Sequence, residues 1–141
     1  MTEEEEKQIL NRFAKRLVFV SRDYTISLLL EYLNNSKRLP ERIAKALSTL
    51  DDEQLFMLKY FLLEGIDTAF HDAMWSIESY DDHRILIGND DPINVEDACD
   101  KFIGAGLTGS ILEFVDEFSQ YNTADEFLET GKLEKVQEES K

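Results

Sequence analysis

Apolar side chains recur along this chain at spacings of three and four residues. That period lines up side chains on one stripe of an α-helix. The first such line is Ile9 or Leu10, Phe13, Leu17 and Val20, opened by Thr2 and Glu5 in a capping-box pattern. The pattern predicts a break near Ser21 to Asp23, then a second helix from Tyr24 to about Leu33. Asn34, Asn35 and Ser36 read as a loop. Pro40 suits the first turn of a third helix running to about Leu50, with Ile43, Ala46, Leu47 and Leu50 inward.

The most apolar stretch follows, from Asp51 to Tyr80, and it holds the only Trp. Asp51 and Gln54 match a second capping box. Leu55, Leu58, Leu62 and Ile66 form one apolar line, and Phe56, Tyr60 and Leu63 a second face. Gly65 suits a left-handed helix end, and Asp67 a new cap before Phe70, Ala73 or Met74, Ile77 and Tyr80. These features predict a central helical hairpin over 51–80. One line of its second half is polar: Asp67, His71, Trp75 and Glu78 share a face. That line reads either as a half-exposed face with Trp75 over the core edge or as a binding face anchored by an aromatic.

Arg84 to Ile87 suits a short strand, and the turn Gly88 to Pro92 allows Ile93 and Val95 to pair with it. A helix is expected from Asn94, with Val95, Ala98, Cys99 and Phe102 inward. The glycines from Gly104 to Gly109 read as a turn, and Ser110 with Glu113 as a cap for a helix to about Tyr121. Thr123 with Glu126 opens a last short helix ending at Gly131. Residues 132–141 are polar and are expected to be a disordered tail. The fold class predicted is all-α, or α with a minor two-stranded hairpin near 84–95. It is expected as one domain over 1–131, an orthogonal helical bundle around the central hairpin.

Charge changes this picture. The net charge is −15, but it is unevenly distributed. Residues 1–50 hold seven acids and nine Lys or Arg, whereas 51–141 hold 23 acids and six. The densest part is Glu78, Asp81, Asp82, Asp90, Asp91, Glu96, Asp97 and Asp100, against Arg84 alone. Clustered carboxylates repel one another, so solubility alone explains them poorly. The same charge disfavours nucleic acid and anionic membranes as partners. Lys37, Arg38, Arg42 and Lys45 form a local basic cluster, read as a solvated face because no Gly-rich phosphate loop accompanies it. Cys99 is alone, so no internal disulfide can form. The acidic start, MTEEEEKQ, is unlike a secretory leader. A cytoplasmic setting is expected.

The chemistry of known catalytic motifs is thin here. With His71 and His83 the only histidines, no Ser-His-Asp or Cys-His set suggests itself. No metal and no cofactor is expected. In size, charge and helical content the chain resembles small bacterial immunity proteins, acidic inhibitors that block a toxin such as a nuclease, and also nucleic-acid-mimicking inhibitors. No motif carries the resemblance, so it transfers no residue role. It implies a non-enzymatic acidic module that binds a basic protein partner. The binding residues expected are Trp75, Glu78, Tyr80, Asp81, Asp82, Asp90, Asp91, Glu96, Asp97 and Asp100. One alternative is a magnesium- or manganese-dependent hydrolase using helix carboxylates such as Glu96, Asp97 and Asp100, or Glu64 and Asp67. Another is self-assembly, down to a homodimer, in which the basic first third of one subunit meets the acidic remainder of another.

Overall fold

A computed structural model of the chain describes residues 1–136, which contain seven α-helices and one two-stranded hairpin. The all-α fold with a minor hairpin is therefore as expected. Two long helical rods form its frame.

The first rod joins α1 (Glu3–Val18), a π-helical turn (Phe19–Asp23) and α2 (Tyr24–Asn34). Thr2 caps α1 as predicted: its side chain accepts the Glu5 N–H, and the Thr2 N–H donates to the Glu5 carboxylate at 2.7 Å. Leu10, Ala14 and Val18, four apart, are the buried line. The expected break at Ser21 to Asp23 does not occur. The helix instead takes up an extra residue there in a wider turn. Arg22 and Asp23 are buried in that turn, while Val20, expected inside, is exposed.

The second rod, α4 (Asp52–Glu78), is a single helix of 27 residues, and this corrects the expected hairpin. Asp51 and Gln54 open it with the predicted capping box. Gly65 lies within the helix on its exposed side, where an added Cβ would meet nothing within 4 Å. A mid-helix Gly costs roughly 1 kcal/mol. Leu63 on one side of it and Phe70 and Met74 on the other are buried on one stripe, and each such burial is worth roughly 1.5–3 kcal/mol. Packing therefore outweighs the helix-ending signal.

Between the rods, α3 (Glu41–Ser48) follows a 3-10 turn at Ser36–Arg38. Pro40 is its N-cap, one position before the first helical residue. No residue of α3 is fully buried, and Ile43 and Ala46, expected inward, are exposed. The strands β1 (Leu86–Ile87) and β2 (Ile93–Asn94) pair antiparallel, Leu86 with Asn94 and Ile87 with Ile93. Gly88 makes their turn with φ +109°, a conformation that other residues rarely adopt. The Val95 N–H still donates to the Ile85 carbonyl at 3.0 Å, and Val95 then begins the next helix.

That helix, α5 (Val95–Phe102), buries Val95, Ala98 and Cys99 as predicted. Burial pushes the Cys99 thiol above its usual pKa, in keeping with a packed apolar side chain. Next, α6 (Leu107–Phe118) starts at Gly106 and not at Ser110. Ser110 lies inside this helix, its hydroxyl donating to the Gly106 carbonyl at 2.8 Å. Finally, α7 (Ala124–Thr130) is capped by Thr123 and ended by left-handed Gly131, both as read from the sequence. The start of the expected tail is anchored: the Asn122 N–H donates to the Leu133 carbonyl, the Lys135 N–H to Gln120, and Lys135 Nζ to the Val115 and Asp116 carbonyls. The rest of that tail, 137–141, lies outside the described residues.

The apolar interior forms two clusters. The larger joins α1, the later part of α4, α5 and α6 around Leu10, Val18, Phe70, Val95, Leu107 and Phe114. The smaller joins α2, the first half of α4 and α7 around Ile26, Leu63, Tyr121, Ala124 and Phe127, with Phe56 stacked on Phe127 at 4.6 Å.

Arg22 bridges the elements that carry both clusters. It is 0% exposed, and all five of its N–H donors are used. Nε donates to Asp67 Oδ1 at 2.6 Å, and Nη2 to Asp67 Oδ2 and to the Asn122 carbonyl. Nη1 donates to Ser119 Oγ and to the Tyr121 carbonyl. Buried Asp23 accepts from Ser119 Oγ and from the Gln120 N–H. Asp67, expected to cap a helix, instead ties α4 to this centre and accepts the Ala124 N–H at the start of α7.

Candidate protein-binding face

The end of α4 brings the expected site residues to the surface. Trp75 is 57% exposed and Tyr80 59%. Tyr80 follows the helix, and its ring lies 5.3 Å from that of His83. The polar line Asp67, His71, Trp75 and Glu78 divides by role. Asp67 turns inward to Arg22. His71 is exposed, with Nδ1 3.2 Å from Asp72. Trp75 carries no buried function.

Glu78 has a structural role that the sequence did not suggest. Its Oε2 accepts the Thr108 N–H at 2.6 Å, so a carboxylate from α4 sits at the start of α6. The free N–H groups and positive dipole end of α6 favour an anion there. Gly106 makes room for it: a Cβ at that position would lie 2.5 Å from Glu78 Oε1. This tertiary cap explains why α6 begins earlier than Ser110.

Glu96, near the start of α5, stands among the other acids. Its pKa is raised, first by partial burial and then by the charges of Glu78, Asp100, Asp97 and Asp81. Those five carboxylates therefore form one field contributed by α4, the loop after it and α5. Asp82, Asp90 and Asp91 are exposed. Asp91 lies on the hairpin turn and lines a shallow groove along α1 with Gln8, Ile9 and Arg12. Asp90 and Asp91 thus lie on the hairpin turn, whereas Asp82 follows Asp81 in the loop after α4.

Among the described residues no three His, Cys, Asp or Glu side chains converge as a metal-ligand set. No helix among them is long and apolar enough to cross a membrane. Comparison with protein-family models, with curated proteins and with solved structures finds no match to this chain.

A second charged face lies on α1. Arg12, Lys15 and Arg16 are exposed on one side of the helix, and Phe19, Val20 and Tyr24 continue it across the π turn. In the later cluster of Lys37, Arg38, Arg42 and Lys45, Arg38 pairs with Glu31 at 2.7 Å. The spacing of Arg12, Lys15, Arg16 and Phe19 held the signal. A helix break at Ser21 would have divided this face, whereas the π turn continues it.

Proposed function

We propose that this protein is a non-enzymatic acidic binding module that docks on a basic surface of a protein partner. The observation that supports this most is the joining of Glu78, Asp81, Glu96, Asp97 and Asp100 into one field beside exposed Trp75 and Tyr80. A field of one sign steers an oppositely charged partner and raises its association rate. A large exposed aromatic beside it supplies the apolar anchor typical of interface hot spots. In this reading the protein is an inhibitor of the immunity type, occupying a basic surface of a toxin such as a nuclease and blocking it sterically and electrostatically.

The test compares wild type with a variant carrying Asp81→Asn, Glu96→Gln, Asp97→Asn and Asp100→Asn. Glu78 is left intact because it caps α6. A partner is first captured at low salt, identified and purified, and association is then measured by stopped flow. The expected result is an association rate at least roughly 10-fold lower for the neutralised variant, with an unchanged circular dichroism spectrum. Trp75→Ala should raise the dissociation rate and cost roughly 2 kcal/mol of affinity. Equal rates for wild type and variant would refute the reading.

A further inference from the structure

We infer that the basic face of α1 docks on the acidic face of a second copy of this chain, head to tail. This rests on the acidic-face reading above and names a further occupant of that face.

The two faces complement one another in charge and in surface chemistry. In a chain with twice as many acids as bases, most cations would be expected to lie near a carboxylate. Most of its described Lys and Arg side chains, Arg12, Lys15 and Arg16 among them, nevertheless have no carboxylate oxygen within 4 Å; what sets these three apart is that they lie together on one exposed side of α1. By contrast, Lys101 holds Glu6 at 2.8 Å, and Arg22 holds Asp67. The three cations share their face with Phe19, 57% exposed, and Tyr24, 58% exposed, while Arg12 also lines a groove with Glu5 and Asp91. A basic stripe with bare aromatics matches an acidic field with bare aromatics. The acidic face is the surface of that chemistry which every solution of this protein contains. Arg is well suited to the match, since its planar guanidinium stacks on aromatic rings while pairing with carboxylates.

The geometry has a consequence. A face meeting a different face is a heterologous contact, which propagates into rings or open chains unless one end is blocked. A basic partner and a second copy would also compete for the same acidic residues. Self-association would then cover the acidic face until a tighter partner displaces the neighbouring copy.

The experiment is sedimentation velocity on the full chain over a concentration series, at low salt and at about 1 M salt, where the screening length falls to about 3 Å. Two variants accompany it. One reverses α1 (Arg12→Glu, Lys15→Glu, Arg16→Glu), and the other neutralises Asp81, Glu96, Asp97 and Asp100. The expected result is concentration-dependent assembly of wild type that high salt dissolves, and monomers for each variant alone. Mixed together, the variants should form a one-to-one dimer that grows no further, because each keeps one working face. Circular dichroism of each variant checks its fold. Wild type monomeric throughout, or assembly that survives either variant, would overturn the inference. Binding of monomeric wild type to vesicles containing phosphatidylserine, lost in the α1 variant, would also overturn it, assigning α1 to a lipid surface. Capture of an oligolysine peptide by the α1-reversed variant tests the acidic face separately, so the failure of one reading is distinguishable from the failure of the other.

Discussion

Replacing Arg22 with Ala tests how the two apolar clusters are joined. The side chain is fully buried and donates to two carboxylate oxygens of Asp67, a hydroxyl and two backbone carbonyls. Removing it leaves Asp23, itself buried, without the adjacent positive charge, and takes the guanidinium from Asp67. It also strips a donor from the Tyr121 and Asn122 carbonyls. Breaking a buried ion pair by deleting one partner costs about 3–5 kcal/mol. An orphaned buried acceptor costs about 1–3 kcal/mol, though such costs do not add fully within one network. A loss of roughly 4 kcal/mol is expected, a large share of the 5–15 kcal/mol typical of a domain. Urea denaturation followed by circular dichroism measures it. Arg22→Lys keeps the charge but has three donors for five acceptors, and it should lose roughly half as much. Hydrogen exchange should show the Ala variant opening first in α2 and α7, the helices of the smaller cluster. A loss under about 1 kcal/mol for Arg22→Ala, or none for Arg22→Lys, would refute the claim that this network fastens the clusters.

Three further outcomes are expected. Gly65→Ala should stabilise the protein by about 1 kcal/mol in urea denaturation, because the position is mid-helix and open; a loss of stability would mean that α4 bends there. Gly106→Ala or Glu78→Gln should each cost about 1 kcal/mol by disturbing the carboxylate cap on α6, with the loss read from thermal melts. Glu96 has a folded pKa above its unfolded one, so between the usual carboxylate range and neutral pH the folded state holds more proton. Its ionisation therefore weakens the fold as pH rises, and the cost disappears below the unfolded value. Glu96→Gln should raise Tm by roughly 1–2 °C at pH 7 and leave it unchanged near pH 4; the opposite order would show that Glu96 is held by favourable contacts.

Local chemistry determined much of this protein. Thr2, Asp51, Thr123 and Gly131 mark helix ends because their effects act on neighbouring backbone within one turn, so spacing alone reveals them. The inward line of α5 and the small hairpin at 86–94 were equally legible, since period and turn residues are local signals. The acidic character of the candidate face was legible too, because charge is additive along a sequence. Its grouping was not: Glu78 and Asp81 act on Glu96 across the sequence because α4 and α5 pack on the same cluster, while Asp90 and Asp91 are carried to the hairpin turn.

Where a local signal opposed packing, tertiary structure decided. Gly65 and Asp67 spell a helix end, yet apolar side chains before and after them bury on one stripe and keep α4 whole. Ser110 and Glu113 spell a helix start, but Glu78, thirty residues or more away, caps α6 earlier. Ser21 to Asp23 read as a break, yet the helix runs through them in a wider turn. Five acceptors gathered from α4 and the segment after α6 make burial of Arg22 tolerable, and no window of sequence around it contains them. A single sequence shows what each residue prefers, whereas a buried charge depends on partners that only the folded chain assembles.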